Sequence, residues 1–272
     1  MAGVDPGGRT RGALDVGRCG VAGRGLVAVA TLLLALLMAV PATAAAEGPE
    51  FGRCIEEKKG NFDDAACTTA SAKPGKGSFE WVPGVVKPQF TQMMPSEAAM
   101  DLDAGPRNLL TVICWGERDS GTFTGSKSLT LRLTFTECSS HSKVPCTSAG
   151  QPSGTIVTST LQGQLGVVGI SPQRPGIALT PTTGTFAEFE CSPALKAVVR
   201  GAVIGKAGPE NVMTNSLFWY TVATSTGAVP ERIDGGPPTY LEGSVNGSPF
   251  ERCSFLFKMT LSPEEEIEIR MT

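Results

Sequence analysis

In SLTLRLTFTEC, residues 128–138, apolar and polar side chains alternate without a break. Leu129, Leu131, Leu133 and Phe135 fall on one side; Thr130, Arg132, Thr134 and Thr136 fall on the other. Only an extended strand sends every second side chain to the same face, so this stretch reads as a strand with one dry and one wet side. ERCSFLFKMTL repeats the pattern with Cys253, Phe255, Phe257, Met259 and Leu261 on one face. EIEIRMT follows after Ser262 and Pro263, alternating Ile267, Ile269 and Met271 against Glu266, Glu268 and Arg270. These two segments predict a C-terminal hairpin.

Further strands are expected at 78–82, 109–115, 121–125, 154–168, 176–181, 185–191, 196–205, 215–223 and 239–245, with Gly or Pro in nearly every gap. The 33 glycines and 20 prolines supply those turns. Many short strands without helical crossovers favour an antiparallel sandwich or barrel over a parallel α/β fold. The expected class is all-β: a single-domain antiparallel β-sandwich or partly closed barrel with a disulfide-clasped N-terminal loop. One exception is SEAAMDLDA, 96–104, which reads as a short helix capped by Ser96.

The start of the chain sets the compartment. Arg9, Arg11, Arg18 and Arg24 precede the apolar run Leu26–Val40, and Pro41 and a string of alanines follow it. That order is a secretory signal peptide, residues 1–46, cleaved after Ala46 or alternatively after Ala44. The run would cover about 22 Å as a helix, short of the roughly 30 Å hydrocarbon core. An uncleaved signal-anchor is the competing reading, since Gly25 and the flanking small residues could lengthen the span. No other segment is apolar enough to span a membrane. The long basic stretch ahead of the apolar run also fits a start codon placed too far upstream. The formal net charge is −3, and removing four arginines against Asp5 and Asp15 makes the remainder more acidic. Nucleic acid, which needs clustered Lys and Arg, is not an expected partner.

Export makes cysteine the default partner of cysteine. Cys19 would leave with the leader, and seven others remain. GRCIEEKKGNFDDAAC places Cys54 and Cys67 around a charged loop; their pairing would be worth about 3 kcal/mol by chain entropy. No C-x-x-C occurs and His141 is the single histidine, so neither a zinc site of usual spacing nor a redox motif can be assembled. Asn61, Asp63 and Asp64 miss the EF-hand spacing for calcium. On alternation, Cys114 and Cys191 face the core, and Cys138 and Cys146 flank a turn. The expected bridges are Cys54–Cys67, Cys138–Cys146 and Cys114–Cys191, with Cys253 a buried free thiol.

Chemistry is sparse. His141 lies in a serine-rich turn, and neither a nucleophile elbow nor a phosphate-binding loop is present. No catalytic residue, metal or cofactor is expected. Paired carboxylates suffice for a glycosidase, and Glu188 with Glu190, or Glu117 with Asp119, are the candidates. The first pair falls on a wet face, and Glu117 and Asp119 flank a turn; neither pair reads as buried. PEEEIEIRMT, residues 263–272, reads as a charged strand end that deters edge pairing. Trp81, Trp115, Trp219 and Tyr220 could stack on sugars, but their apolar surroundings read as core. Asn246 heads a formal glycosylation sequon.

The segments GRCIEEKKGNFDDAACTTASAKPGKGSFEWVPG, ICWGERDSGTFTGSKSLTLRLTFTEC, PCTSAG and FAEFEC resemble a group of exported actinobacterial proteins of unknown function. The resemblance spans nearly all of the chain after the leader. It implies a clasped N-terminal loop, an FEW-PG segment and a β-rich body, with Cys253 outside the usual pattern. It carries no catalytic assignment. The organisation expected is a signal peptide at 1–46, a clasped loop and Pro-rich lead-in at 47–107, and the main β domain at 108–272. The function expected is a secreted, non-enzymatic structural or binding protein of the cell envelope or extracellular space, with a cell-wall or glycan ligand. The alternative is a carboxylate-dependent hydrolase of envelope carbohydrate.

Overall fold

Phe90 and Gln92, two residues apart on one strand, both point inward and are 1% exposed. The same inward alternation recurs along five further strands, and two more, Arg174–Pro181 and Val203–Gly208, are buried almost continuously. In chain order the eight are β1 (Gln89–Met93), β2 (Gly116–Gly125), β3 (Ser128–Leu131), β4 (Leu161–Val168), β5 (Arg174–Pro181), β6 (Val203–Gly208), β7 (Leu217–Tyr220) and β8 (Lys258–Pro263). Each is antiparallel to the next, and β8 pairs back onto β1, Leu261 opposite Gln92. The result is a closed up-and-down barrel, which leaves no free edge. The computed structural model describes residues 48–103, 109–169, 172–221, 223–224, 227–228 and 232–271; the expected leader, with Cys19 and Ala46, lies outside them.

Side chains fill the barrel. Trp219, Leu161, Leu179 and Met259 are at most 1% exposed, and each buried aliphatic side chain contributes on the order of 1.5–3 kcal/mol. The Trp219 indole lies so close to Gly205 that a Cβ there would collide with it, and its Nε1 donates to the Ile177 carbonyl at 2.9 Å. An eight-stranded barrel is just wide enough for such filling.

Antiparallel order sends the connections β1–β2, β3–β4, β5–β6 and β7–β8 to one end, here the upper end. All four carry extra strands. One four-stranded sheet orders Ser254–Leu256, Ala98–Asp103, Leu109–Cys114 and Ser139–Ser140; another orders Ala187–Ser192, Leu195–Gly201, Leu241–Val245 and Glu251–Arg252. Their apolar faces enclose a cavity of about 30 Å³ among Val112, Phe135, Phe186, Phe189 and Phe255. Of the two alternatives posed by the sequence, the barrel is present, fully closed, with further sheets beside it.

Several expectations are corrected here. Ala98–Asp103 is a strand, not a helix: pairing with Leu109–Cys114 and Ser254–Leu256 overrides its local helical preference. The bridges are Cys54–Cys67, Cys114–Cys138 and Cys146–Cys191, so two of the three expected pairings change. The turn after Cys138 does bring Cys146 beside it, with the Cys146 amide donating to the Cys138 carbonyl at 3.0 Å. Each sulfur nonetheless crosses to a different connection. Residues 47–107 are more than a lead-in, because β1 lies within them and closes the barrel; Ala46–Thr272 is one compact unit.

The C-terminal hairpin is also replaced. Glu268–Arg270 pairs with Glu50–Gly60, which pairs with Gly77–Pro83, forming a three-stranded sheet at the lower end. Glu268–Arg270 is an edge strand of that sheet. Phe51, 0% exposed, packs its ring 4.9 Å from Phe123, and its amide donates to the Ser126 carbonyl in the β2–β3 turn. Ile267 and Ile269 complete this plug.

Candidate functional site

The alternation that fills the barrel also brings polar groups inside. Glu117 and Asp119 occupy the face of β2 that carries Phe123, and Gln92 stands opposite Asp119 on β1. Gln92 Nε2 donates to Glu117 Oε1 at 3.1 Å and to the Arg132 carbonyl at 2.6 Å. Gln92 Oε1 and Glu117 Oε2 have no partner. Burial pushes the Glu117 carboxyl up to about 7; the Gln92 hydrogen bond opposes this and the Asp119 charge adds to it. A proton on Glu117 Oε2 supplies the one donor that this pair of groups lacks. The expectation that Glu117 is unburied is thus corrected: it is 4% exposed. Asp119 is held by the Thr134 hydroxyl at 2.8 Å.

A second concave feature among the described residues lies on the outer wall near the lower end. A cleft of about 620 Å³ runs between the ends of β4 to β7, with Arg174, Lys206, Glu210, Phe218 and Tyr220 among its lining residues. Since Leu217 and Trp219 face the barrel interior, Phe218 and Tyr220 face out. Their ring centroids are 6.0 Å apart and tilted by 37°. Phe218 is opposite Gly208 on β6, and a Cβ at 208 would strike its ring, so glycine lets the ring lie against the backbone. Lys206 is opposite Tyr220, which is in turn opposite Lys258 on β8. Arg174 and Glu210 form an ion pair at the rim.

The remaining candidates scatter. Glu188 accepts from the Thr185 hydroxyl and Glu190 pairs with Lys196 at 2.9 Å, both on an exposed sheet face. His141 is exposed in its turn, its amide bonded to the Thr111 carbonyl. Asp64 accepts from the Ala66, Thr68 and Thr69 amides and the Thr68 hydroxyl; hydrogen bonds from Thr69 and Thr68 hold it well below the usual carboxylate range. Asn61 is similarly engaged with Glu80 and Gly75. Among the described residues no group of His, Cys, Asp and Glu could hold a metal ion. Asn246 donates to the Ala194 carbonyl at 2.7 Å within its turn. Cys253 is free and buried, and burial pushes its thiol up to about 12.

The four aromatic candidates divide. Trp219 is core. Trp115 is 61% exposed, a correction that alternation explains, because the residue after an inward Cys114 points outward. Trp81 lies under the Arg270 guanidinium, 4.9 Å from its ring, and donates to Glu50 at 2.8 Å. Tyr220 lies in the cleft. Phe218 and Lys206 were missed as its partners, although the i, i+2 spacing of Phe218 and Tyr220 marks a shared outer face.

Comparison with protein-family models, curated proteins and solved structures gives no match for this chain.

Proposed function

We propose that the protein is an exported, non-enzymatic binding module of the cell envelope or extracellular space, and that the outer barrel cleft is its binding surface. The observation that carries this is the pairing of exposed Phe218 with Tyr220 inside a concave site of about 620 Å³. Monomeric surfaces rarely hold aromatic rings in a cleft beside charged groups without a ligand to receive. Export is supported by the leader-like sequence at 1–46 and by three disulfides. Among the described residues no helix is long and apolar enough to cross a membrane.

Hydrolysis of envelope carbohydrate needs two carboxyl groups facing each other across an accessible cleft. Glu117 has the raised pKa of a general acid, but it is packed inside a filled barrel. Glu188 and Glu190 are solvated neighbours on one strand. Binding is therefore the reading the geometry favours.

A glycan array probed with residues 46–272, as wild type and as the Phe218→Ala/Tyr220→Ala double variant, tests it. Retention by the wild type and loss in the double variant are expected. Retention unchanged in the variant removes the cleft from the account, and no retention at all by the wild type removes glycan binding.

A further inference from the structure

We infer that the ligand of the outer cleft is an anionic saccharide, its ring face stacked on Phe218 and Tyr220 and its negative group held between Lys206 and Lys258; this rests on the cleft being the binding surface. Three observations meet here. The first is the cross-strand row Gly176–Lys206–Tyr220–Lys258, set by the registers of β5 with β6, β6 with β7, and β7 with β8. Cross-strand neighbours hold their Cβ atoms about 5 Å apart, so Tyr220 stands between two lysines, of which Lys206 lines the cleft and Lys258 lies on the next strand. Gly176 begins the row without a side chain, and the Val168 side chain fills the space a Cβ would take.

The second observation is charge. Arg174 is matched by Glu210, yet neither lysine ammonium has a hydrogen-bond or ion-pair partner among the described residues. The chain as a whole is acidic, at −3, so two unmatched cations beside a cleft are a local reversal of sign. Such a pair repels unless an anion sits between, and an anion supplied by a ligand gains charge-assisted hydrogen bonds. The third is the platform. Two rings tilted by 37° and 6.0 Å apart make a stepped surface, not a slot. A slot would sandwich one flat heterocycle; a step suits successive puckered sugar rings, whose C–H faces pack on aromatic carbon.

Lysine is a point charge and does not require the bidentate geometry that arginine reads, so a carboxylate and a phosphate ester are both accommodated. The experiment separates them. Oligogalacturonate, its fully methyl-esterified form and a phosphorylated oligomannoside are titrated calorimetrically into residues 46–272 at low salt. Oligogalacturonate or the phosphorylated oligomannoside is expected to bind at least tenfold more tightly than the neutral ester, with the better of the two naming the anionic group. Lys206→Gln/Lys258→Gln should bring the acid down to the ester's level, leaving the ester unchanged. Phe218→Ala/Tyr220→Ala should remove both.

Equal binding of acid and ester, or an acid preference that survives the lysine variant, overturns the anionic assignment while leaving the cleft as a binding surface. Binding that survives the aromatic variant overturns the cleft itself. Heat from none of the three probes overturns the saccharide. Circular dichroism and melting temperature of each variant establish that it folds; all four side chains face outward, so both variants are expected to match the wild type.

Discussion

At the upper end of the barrel two disulfides join three separate connections in series, whereas at the lower end the Cys54–Cys67 bridge closes a loop within one hairpin. Cys114–Cys138 ties the β1–β2 connection to β3–β4, and Cys146–Cys191 ties β3–β4 to β5–β6, with sequence separations of 24 and 45. The clasp spans only 13. Long insertions between adjacent strands bring a large unfolded-state entropy, and cross-links between insertions remove part of it, more for the longer loops. The lower plug is instead held by backbone pairing to Glu268–Arg270 and by the apolar wedge of Phe51, Ile267 and Ile269. Sulfur therefore secures the end built from discontinuous pieces, and hydrogen bonds secure the end built from the two termini of the folded unit.

The largest expected effect tests that division. Replacing Cys146 and Cys191 by Ala should lower unfolding free energy by about 4 kcal/mol, against about 3 kcal/mol for Cys54 and Cys67, by chain entropy alone. Urea midpoints of the two double variants measure the difference. A clasp variant that loses more than the upper variant reverses the comparison, and a peptide map showing Cys138 bonded to Cys146 removes its basis.

Each end also buries a carboxyl group, and the two differ in their company. Burial raises both Glu117 and Glu268 to about 7, but Glu117 faces the Gln92 amide, whereas Arg270 opposes the shift at Glu268 and Asp64 adds to it. A native pKa above the unfolded one, near 4.5, means the folded state keeps a proton that the unfolded state has released. Stability contributed this way is complete below about pH 4.5 and is lost as pH rises through about 7. Glu117→Gln keeps the shape and gives Gln92 Oε1 a permanent donor. It should raise stability at pH 8 by about 3 kcal/mol, change little at pH 4, and flatten the pH dependence between. Urea titrations at both pH values decide it: equal effects at pH 4 and pH 8 would show that Glu117 is already ionised in the native state.

Glu268→Gln should gain by a similar amount at pH 8, since the raised value already contains the opposing attraction of Arg270. The same pair of titrations reads it, and equal effects at pH 4 and pH 8 would show that Glu268 is already ionised in the native state. Glu268 Oε2 and Arg270 Nη1 both lack hydrogen-bond partners, so their attraction acts without direct contact between those atoms.

The strands were legible in the sequence because alternation is a local property, and segments such as 128–131 and 258–261 carry it plainly. Barrel closure was not, because β1 and β8 are separated by most of the chain and no local pattern encodes their pairing. Ala98–Asp103 misled because its alanines and carboxylates favour a helix in isolation, and only the flanking strands decide otherwise. Glu117 was within reach. Extending the alternation back from Phe123 through Gly121 and Asp119 puts it on the inner face, but ERDSG has the composition of a turn and the strand appeared to begin after it. The cleft needed the register of four strands, which alternation alone does not provide.

Cys253 gives the smallest effect and the sharpest probe of the upper end. It belongs to the β7–β8 connection, the one upper connection without a disulfide among the described residues, and it is 1% exposed with its thiol raised to about 12. A thiol reagent needs both access and thiolate, so modification should occur only through transient opening. Cys253→Ala itself should cost about 1 kcal/mol, the value of a small buried group, read from its urea midpoint. Labelling of Cys253 in the otherwise native protein is expected to be slow. It should accelerate by more than tenfold when Cys146 and Cys191 are replaced, and hardly at all when Cys54 and Cys67 are replaced. Equal acceleration by both would mean that the two ends open together, and the barrel between them would then be a conduit rather than a divider.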